Sequence, residues 1–408
     1  MIRRSWVAAL LLATGGVFAG WFGPIQILLP SQAARLADGD GKEALLALVT
    51  GIGAIASLVA NPLWGLISDR MSLRGPRRRP VLVAGVAIGV VGLAVLSAAP
   101  DTTWMIVGWV LVQVGLNGPF AALIAMIADR VPPERRGLVG SLFGVAQIAG
   151  VVLGTAIAVA FEEGPLGYVA LAVAVPLLCV AIVVMPEARY VEAGLRADAD
   201  AASVTPAPAT RSLRVVLAAL RPTSAFAWAW VIRLLLNLVN ALVLVYLYFY
   251  LSDGVGVDDP GTWVLVLTLV NVVVTAIAAG IGGAWSDRLA RRKVFVVAAV
   301  LVLAAGAVVF AVFPVTGAVI AATVLIGLGW GLYVSVDVAI ITQVLPNDRS
   351  TGSMLGVANI ASALPQALAP LIAVPLVTGP GGYTALYLVT AGIGLLALVC
   401  LPRLRTVA

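Results

Sequence analysis

Arg233 and Asp337 stand deep inside long apolar runs of this 408-residue chain. A charge near the centre of a bilayer is costly, so each such residue marks a candidate site. Arg221 precedes the run that holds Arg233, and Pro346 follows the run that holds Asp337. At a helical rise of about 1.5 Å per residue, both charges sit about 14 to 18 Å in from these markers, at similar depth, so they could pair. Arg233, Asn237 and Asn240 fall on one stripe of a helix, and Trp330, Tyr333 and Asp337 fall on one stripe of another. Three kinds of chemistry fit this set. The pair could be a permanent salt bridge that fixes helix packing. Asp337 could instead exchange a proton, with Arg233 favouring the charged carboxylate until the two separate. Or Arg233 could be the counter-charge for an anionic solute. The chain has no histidine, and Asp337 is the only well-buried carboxylate, so a proton has few other carriers.

The elements that must hold these residues follow from composition. Hydrophobic residues make up 62% of the chain and charged residues 11%, too few to cover a soluble globule of this size. The apolar residues break into twelve runs, each near the roughly 20 residues that a bilayer-crossing helix needs. They are 5–29, 44–67, 80–99, 103–128, 138–161, 166–185, 224–251, 261–285, 294–313, 317–345, 353–378 and 383–402. The alternating pattern of a membrane barrel is absent. Met1-Ile-Arg-Arg before the first run resembles a signal peptide, but the run is too long and lacks a cleavage site, so a retained first helix is expected. Gly140 and Gly144, like Gly150 and Gly154, have the small-xxx-small spacing that suits close helix packing.

All Lys and Arg except Arg35, Lys42 and Arg233 fall in segments that share one side if both termini are cytoplasmic. The net charge of +6 therefore describes membrane orientation and does not point to nucleic acid. Cys179 and Cys400 each lie in an apolar run, so neither a disulfide framework nor a thiolate metal site is implied. No cofactor is expected.

The chain repeats itself. "GSLFGVAQIA" at 140–149 returns as "GSMLGVANIA" at 352–361. Gly65-Leu-Ile-Ser-Asp69-Arg70, after the second run, matches Gly283-Ala-Trp-Ser-Asp287-Arg288, after the eighth. The stretch 186–221, rich in Ala, Asp, Pro and Thr, reads as a cytoplasmic linker between two six-helix bundles, 1–185 and 222–408. Aligning Pro133 with Pro346 sets Ile124 opposite Asp337 and Asn117 opposite Trp330, so the second half alone carries the charges. A parallel repeat of six spans is the plan of transporters whose halves rock about a midplane site.

The loop "GLISDRMSLRGPRRRP", echoed by "GAWSDRLARRK", resembles the cytoplasmic loop motif of the major facilitator superfamily, and "DRVPPERRG" resembles its loop between the fourth and fifth helices. The likeness covers almost the whole chain. It implies that the first, fourth, seventh and tenth helices line a central cavity. Candidate solute-binding residues are then Phe22, Gln26, Gln113, Asn117, Arg233, Asn237, Asn240, Trp330 and Tyr333. Asn271, Gln147, Asn359 and Gln366 are more readily read as bonds between helices. Gly65, Asp69, Arg70, Gly283, Asp287 and Arg288 are candidate gating residues. Asp69 can accept bonds from a helix N-terminus or pair with a nearby arginine while one face is closed, and the two glycines would allow close helix approach. Alternatively, Arg77, Arg78 and Arg79 merely enforce topology.

The expected fold is an all-α membrane protein of twelve helices in two pseudo-symmetric bundles. The expected function is secondary active transport of a small organic solute by alternating access, as a multi-pass monomer in the cytoplasmic membrane, with protons as the coupling partner. No nucleotide-binding Gly-x-x-x-x-Gly-Lys-[Ser/Thr] loop is present. Asparagines and glutamines suit a hydroxyl-rich, sugar-like solute, and "GWGLYVSVDVAIITQVLP" resembles sugar and glycoside symporters of the superfamily. The alternatives are a proton-driven drug or metabolite exporter and a lipid flippase. Drug exporters of the superfamily carry a Gly-Pro pair deep in the fifth helix, and "AQIAGVVLGTAIA" lacks it. An enzyme would need a paired acid and base or a metal site, which one Asp beside one Arg does not supply.

Overall fold

The computed structural model describes residues 3–37, 41–72, 78–185, 223–289, 291–344 and 351–404, with the backbone alone at 69–72, 133, 287, 338, 342, 351–356 and 359. Among these residues twelve helices are long and apolar enough to cross a membrane. In the first half they are α1 (Arg4–Leu36), α2 (Lys42–Ser72), α3 (Arg79–Ala98), α4 (Thr102–Arg130), α5 (Pro133–Ala160) and α6 (Pro165–Val184). In the second half they are α7 (Ser224–Val245), α8 (Pro260–Leu289), α9 (Arg292–Val312), α10 (Thr316–Val344), α11 (Thr351–Val377) and α12 (Gly382–Cys400). The expected linker 186–221 lies outside the described residues.

Helix starts follow local chemistry. Asp101 accepts the amides of Thr103 and Trp104 at 2.8 and 3.1 Å and so caps α4, and Thr223 caps α7 through the Phe226 amide. Pro165 and Pro260 open α6 and α8, where a missing N–H costs nothing. Two spans differ from expectation. The first runs on to Leu36, passing through a π-helical turn at Pro24–Leu28. Pro24 and Pro30 each withhold a backbone N–H here, which unsettles the regular ladder. The seventh ends at Val245 rather than 251, because Tyr246 leaves helical geometry and a π turn follows at Tyr250–Val255. Aromatic packing fixes that break. The Tyr250 hydroxyl donates to the Phe310 carbonyl at 2.8 Å, and its ring meets those of Phe310, Tyr383 and Tyr387.

The chain divides into two compact units, 1–209 and 210–408. Within the first, α1 packs on α5 and α6, α4 on α2 and α3, and α3 on α6. The second repeats this plan with α7 on α11 and α12, α10 on α8 and α9, and α9 on α12. Lipid offers helices no hydrophobic drive to associate, so close van der Waals packing must hold them. A Cβ at Gly150 or Gly154 would strike the carbonyl oxygens of Gly15 and Ala19, which is why glycine stands there on α5. The other half of the small-residue expectation fails. At Gly140 and Gly144 a Cβ would meet nothing within 4 Å among the described residues.

Candidate functional site

The second unit brings Arg233 and Asp337 together. Arg233 lies in the first half of α7 and Asp337 in the last third of α10. Their Nη1 and Oδ2 atoms are 3.3 Å apart, and the two side chains are only 15% and 13% exposed. The remaining carboxylate oxygen, Oδ1, accepts the Tyr333 hydroxyl at 2.6 Å. Tyr333 is one helical turn before Asp337 and is buried, with the Trp330 ring tilted against its own at 5.5 Å. Arg233 also donates from Nε to the Ser362 hydroxyl of α11 at 2.9 Å. Three helices thus meet in one polar network, and each carboxylate oxygen has a donor. Such an arrangement holds a charge inside an apolar bundle only while both donors stay in place.

Among the described residues the Asn237 side chain turns back on its own helix and does not join this network. Its amide donates back to the Arg233 carbonyl at 2.8 Å, within α7. Asn240 is half-buried farther along the same helix. Trp230, on the turn before Arg233, donates its indole N–H to the Val357 carbonyl of α11.

The candidates of the first unit form separate clusters. The Asn117 amide donates to Ser57 Oγ at 2.8 Å and to the Gln113 carbonyl at 2.7 Å, and the residue is 2% exposed. Gln26, in the π turn, accepts the Thr155 hydroxyl at 2.8 Å. Phe22 stacks on Phe18, which in turn meets Trp21 and Phe120 edge to face. Gln113 and Gln147 are half-buried, as is Asn271 in the second unit, while Gln366 is exposed.

At the helix ends the picture changes from expectation. The side chains of Asp69, Arg70 and Asp287 lie outside the described residues, as does that of Asn359. Arg288 is exposed. Among the described residues Gly65 and Gly283 do not bring helices together: a Cβ at Gly65 meets nothing within 4 Å there, and one at Gly283 meets only Ser335 Cβ at 4.0 Å. The neighbouring tryptophan makes that contact instead. Trp64 donates to the Val114 carbonyl at 2.7 Å, and its ring lies where a Cβ on Gly118 would fall. An ion pair not anticipated from the sequence joins Arg78 to Asp129 at 3.0 Å, with Arg78 also donating to the Ser68 hydroxyl at 2.7 Å. In the second unit Arg292 donates to the Ala339 carbonyl at 3.0 Å.

Ser362 was also missed. A serine in an apolar run has no charge or period to announce it, although its register with Gly150 was already visible in the repeated decapeptide that precedes both. Among the described residues no group of three or more His, Cys, Asp or Glu is placed to hold a metal ion.

Comparison with known proteins gives these parts a setting. The profile of the Major Facilitator Superfamily matches residues 10–370 and 262–407. An efflux pump named MFS1 from Arthroderma benhamiae is 32% identical over 80 residues, 19% of this chain and 15% of that protein. The class G tetracycline resistance protein of Vibrio anguillarum is 30% identical over 158 residues, 38% of each chain. The multidrug resistance efflux pump PmrA of Streptococcus pneumoniae is 27% identical over 149 residues, 33% of this chain and 35% of the pump. The aligned segments thus span well under half the length of these relatives. Among solved structures, the nucleoside transporter NupG superposes with a TM-score of 0.76 at 13% identity, covering 98% of this chain and 100% of that one. A D-xylose-proton symporter gives 0.71 at 16% identity, covering 98% of each chain. These last two establish the fold alone. With twelve apolar helices among the described residues, a duplicated six-helix plan and a profile match over nearly its whole length, the chain is a multi-pass membrane protein and belongs to the Major Facilitator Superfamily.

Proposed function

We propose that the protein is a secondary active transporter that moves a small organic solute by alternating access and exchanges it against protons carried by Asp337. The observation that carries this reading is the Arg233–Asp337 pair, shielded from solvent and completed by Tyr333 and Ser362. When Arg233 withdraws, the carboxylate is left charged in apolar surroundings, and a proton is the cheapest way to neutralise it. When Arg233 returns, the proton leaves. A cycle of pairing and release therefore couples proton movement to a change of shape.

Export is the direction that the relatives support, since the three described above that align by sequence are named for efflux or resistance. The side chains agree with an apolar solute better than with a sugar. The Asn117 amide donates within its own unit and that of Asn237 within its own helix, whereas Phe18, Trp21, Phe22 and Phe120 form a partly exposed aromatic group.

The test is proton movement in proteoliposomes that hold a pH-sensitive dye. A thermal-shift screen of sugars, organic anions and lipophilic cations first supplies a ligand. Adding that ligand across an imposed pH gradient is expected to move protons, and collapsing the gradient with a protonophore is expected to stop uphill transport. Uphill transport that persists without a proton gradient would overturn the reading.

A further inference from the structure

Beside Asp337, on the side nearer the end of α10, the second unit holds a small recess that is partly open and has room for about one water molecule. Asp337 and Tyr333 are the polar residues of its lining, and Val296 of α9, Ile340 of α10, Leu401 and Leu404 are among the apolar ones. We propose that this recess is a water site through which Asp337 exchanges its proton with solution at the end of the bundle where α9 begins and α12 ends, and that Leu401 and Leu404 are its cover. The inference rests on the proton-carrying role of Asp337 given above.

Three observations lead here. The first is depth: Asp337 lies about 10 Å along the helix axis from Val344, the last residue of α10. Val296 stands just past the first turn of α9. A water in the recess would be the first step, about 3 Å long, of that path.

The second is polarity. A dry apolar cavity stays empty, and a water needs at least two polar partners. Asp337 and Tyr333, whose carboxylate and hydroxyl are bonded to each other, are the two lining residues with polar side chains that could serve as those partners.

The third is the cover. The chain leaves α12 in a 3-10 turn, Leu401–Arg403, closed by the Leu404 amide on the Leu401 carbonyl at 3.1 Å. Arg403 lies over the Trp228 ring at 4.4 Å and pins that turn to α7. Leu404 is only 1% exposed although it stands at the very end of the bundle. A side chain held that firmly over a recess too small for an organic solute suits a route that admits water alone.

The charged and titratable groups around Asp337 are few. Arg233 faces it from α7 and Tyr333 from α10 itself, while α11 offers the neutral Ser362. On α9, Arg292 is turned to the Ala339 carbonyl, and beyond α12 Arg403 is turned to Trp228. Arg288 of α8 is exposed at that helix's end. None of the described groups other than Asp337 and Tyr333 lines the recess with a charge or a titratable proton, so the carboxylate would exchange with the water directly.

The experiment needs no transported solute. The full-length protein in nanodiscs is followed by infrared spectroscopy after a pH jump, and the Asp337 carboxyl band is identified by its loss in Asp337→Asn. Leu404→Trp fills the recess and Leu404→Ala uncovers it. Proton exchange at that band is expected to slow about tenfold in the first and to quicken about tenfold in the second. Ile340→Phe fills the same space from α10 and is expected to slow exchange as well, which guards against a folding defect at the chain end. If all three variants exchange at the wild-type rate, the recess is not the route, while the role of Asp337 stands. If no band assigned to Asp337 titrates, the role of Asp337 falls and this inference falls with it.

Discussion

Gly150 on α5 and Ser362 on α11 occupy the same place in the two copies of the repeat, each directly after its decapeptide, yet they join their neighbours in opposite ways. Gly150 lets α5 press directly against the backbone of α1. Ser362 instead accepts a hydrogen bond from Arg233 of α7. The same contrast separates α4 from α10, where Ile124 stands opposite Asp337 in the alignment. The duplicated plan supplies two equivalent frames: at this position the first has a backbone contact, with the neutral Gln26–Thr155 bond farther along the same seam, and the second has a bond to a charged pair. Hydrogen-bonding side chains lower the cost of a buried charge, and the second copy places Ser362 and Tyr333 beside its arginine and aspartate.

The largest test of this contrast is Asp337→Asn. The isosteric amide keeps the volume but leaves Arg233 without its counter-charge, at a cost of about 3 kcal/mol of stability. Proton-driven accumulation is expected to vanish while solute exchange at equal concentrations continues. Undiminished uphill transport in proteoliposomes would remove Asp337 from the coupling role. Next in size is Gly150→Ser, which writes the second copy's residue into the first. Its Cβ would meet the Gly15 carbonyl and the Phe18 side chain, so a loss of about 3 kcal/mol is expected in thermal unfolding. A smaller effect is expected from Ser362→Ala. One bond to a charged group disappears, worth about 1.5 kcal/mol, and Arg233 keeps Asp337 as partner. If Ser362→Ala costs more than Gly150→Ser, the second seam depends on its serine as much as the first does on its glycine, and the contrast is lost.

The spans were legible because Arg, Lys, Pro and Gly punctuate the apolar runs. Most helices begin slightly outside those runs, since capping and charged residues such as Asp101 and Arg292 belong to the helix ends. The Arg233–Asp337 contact was legible too, from depth alone, and so was its place beside Tyr333. The π turn at Pro24–Leu28 was not, because proline inside a membrane helix can be absorbed in several ways. Nor was the preference of Asn117 for Ser57: an amide on a candidate cavity face reads the same whether it awaits a solute or bonds the next helix. Arg78 escaped because a cluster of arginines beyond a helix end already had an explanation in membrane orientation.

That last pair gives the smallest test and the most discriminating one. Arg78–Asp129 resembles Arg233–Asp337 in composition and length, 3.0 against 3.3 Å. It differs in setting. Asp129 is 38% exposed where Asp337 is 13% exposed, and it is the last residue but one of its helix. Bulk water can take the place of Arg78 at Asp129, whereas Asp337 has at most the narrow recess beside it. Arg78→Ala is therefore expected to cost about 1 kcal/mol, and the loss should shrink further in high salt as screening weakens the pair in the parent protein. Its thermal unfolding and its proton-coupled transport should both stay closer to the parent than those of Asp337→Asn. Were Arg78→Ala to uncouple transport as completely, the first copy would hold a charge as consequential as the second, and depth in the helix would not be what divides the two halves.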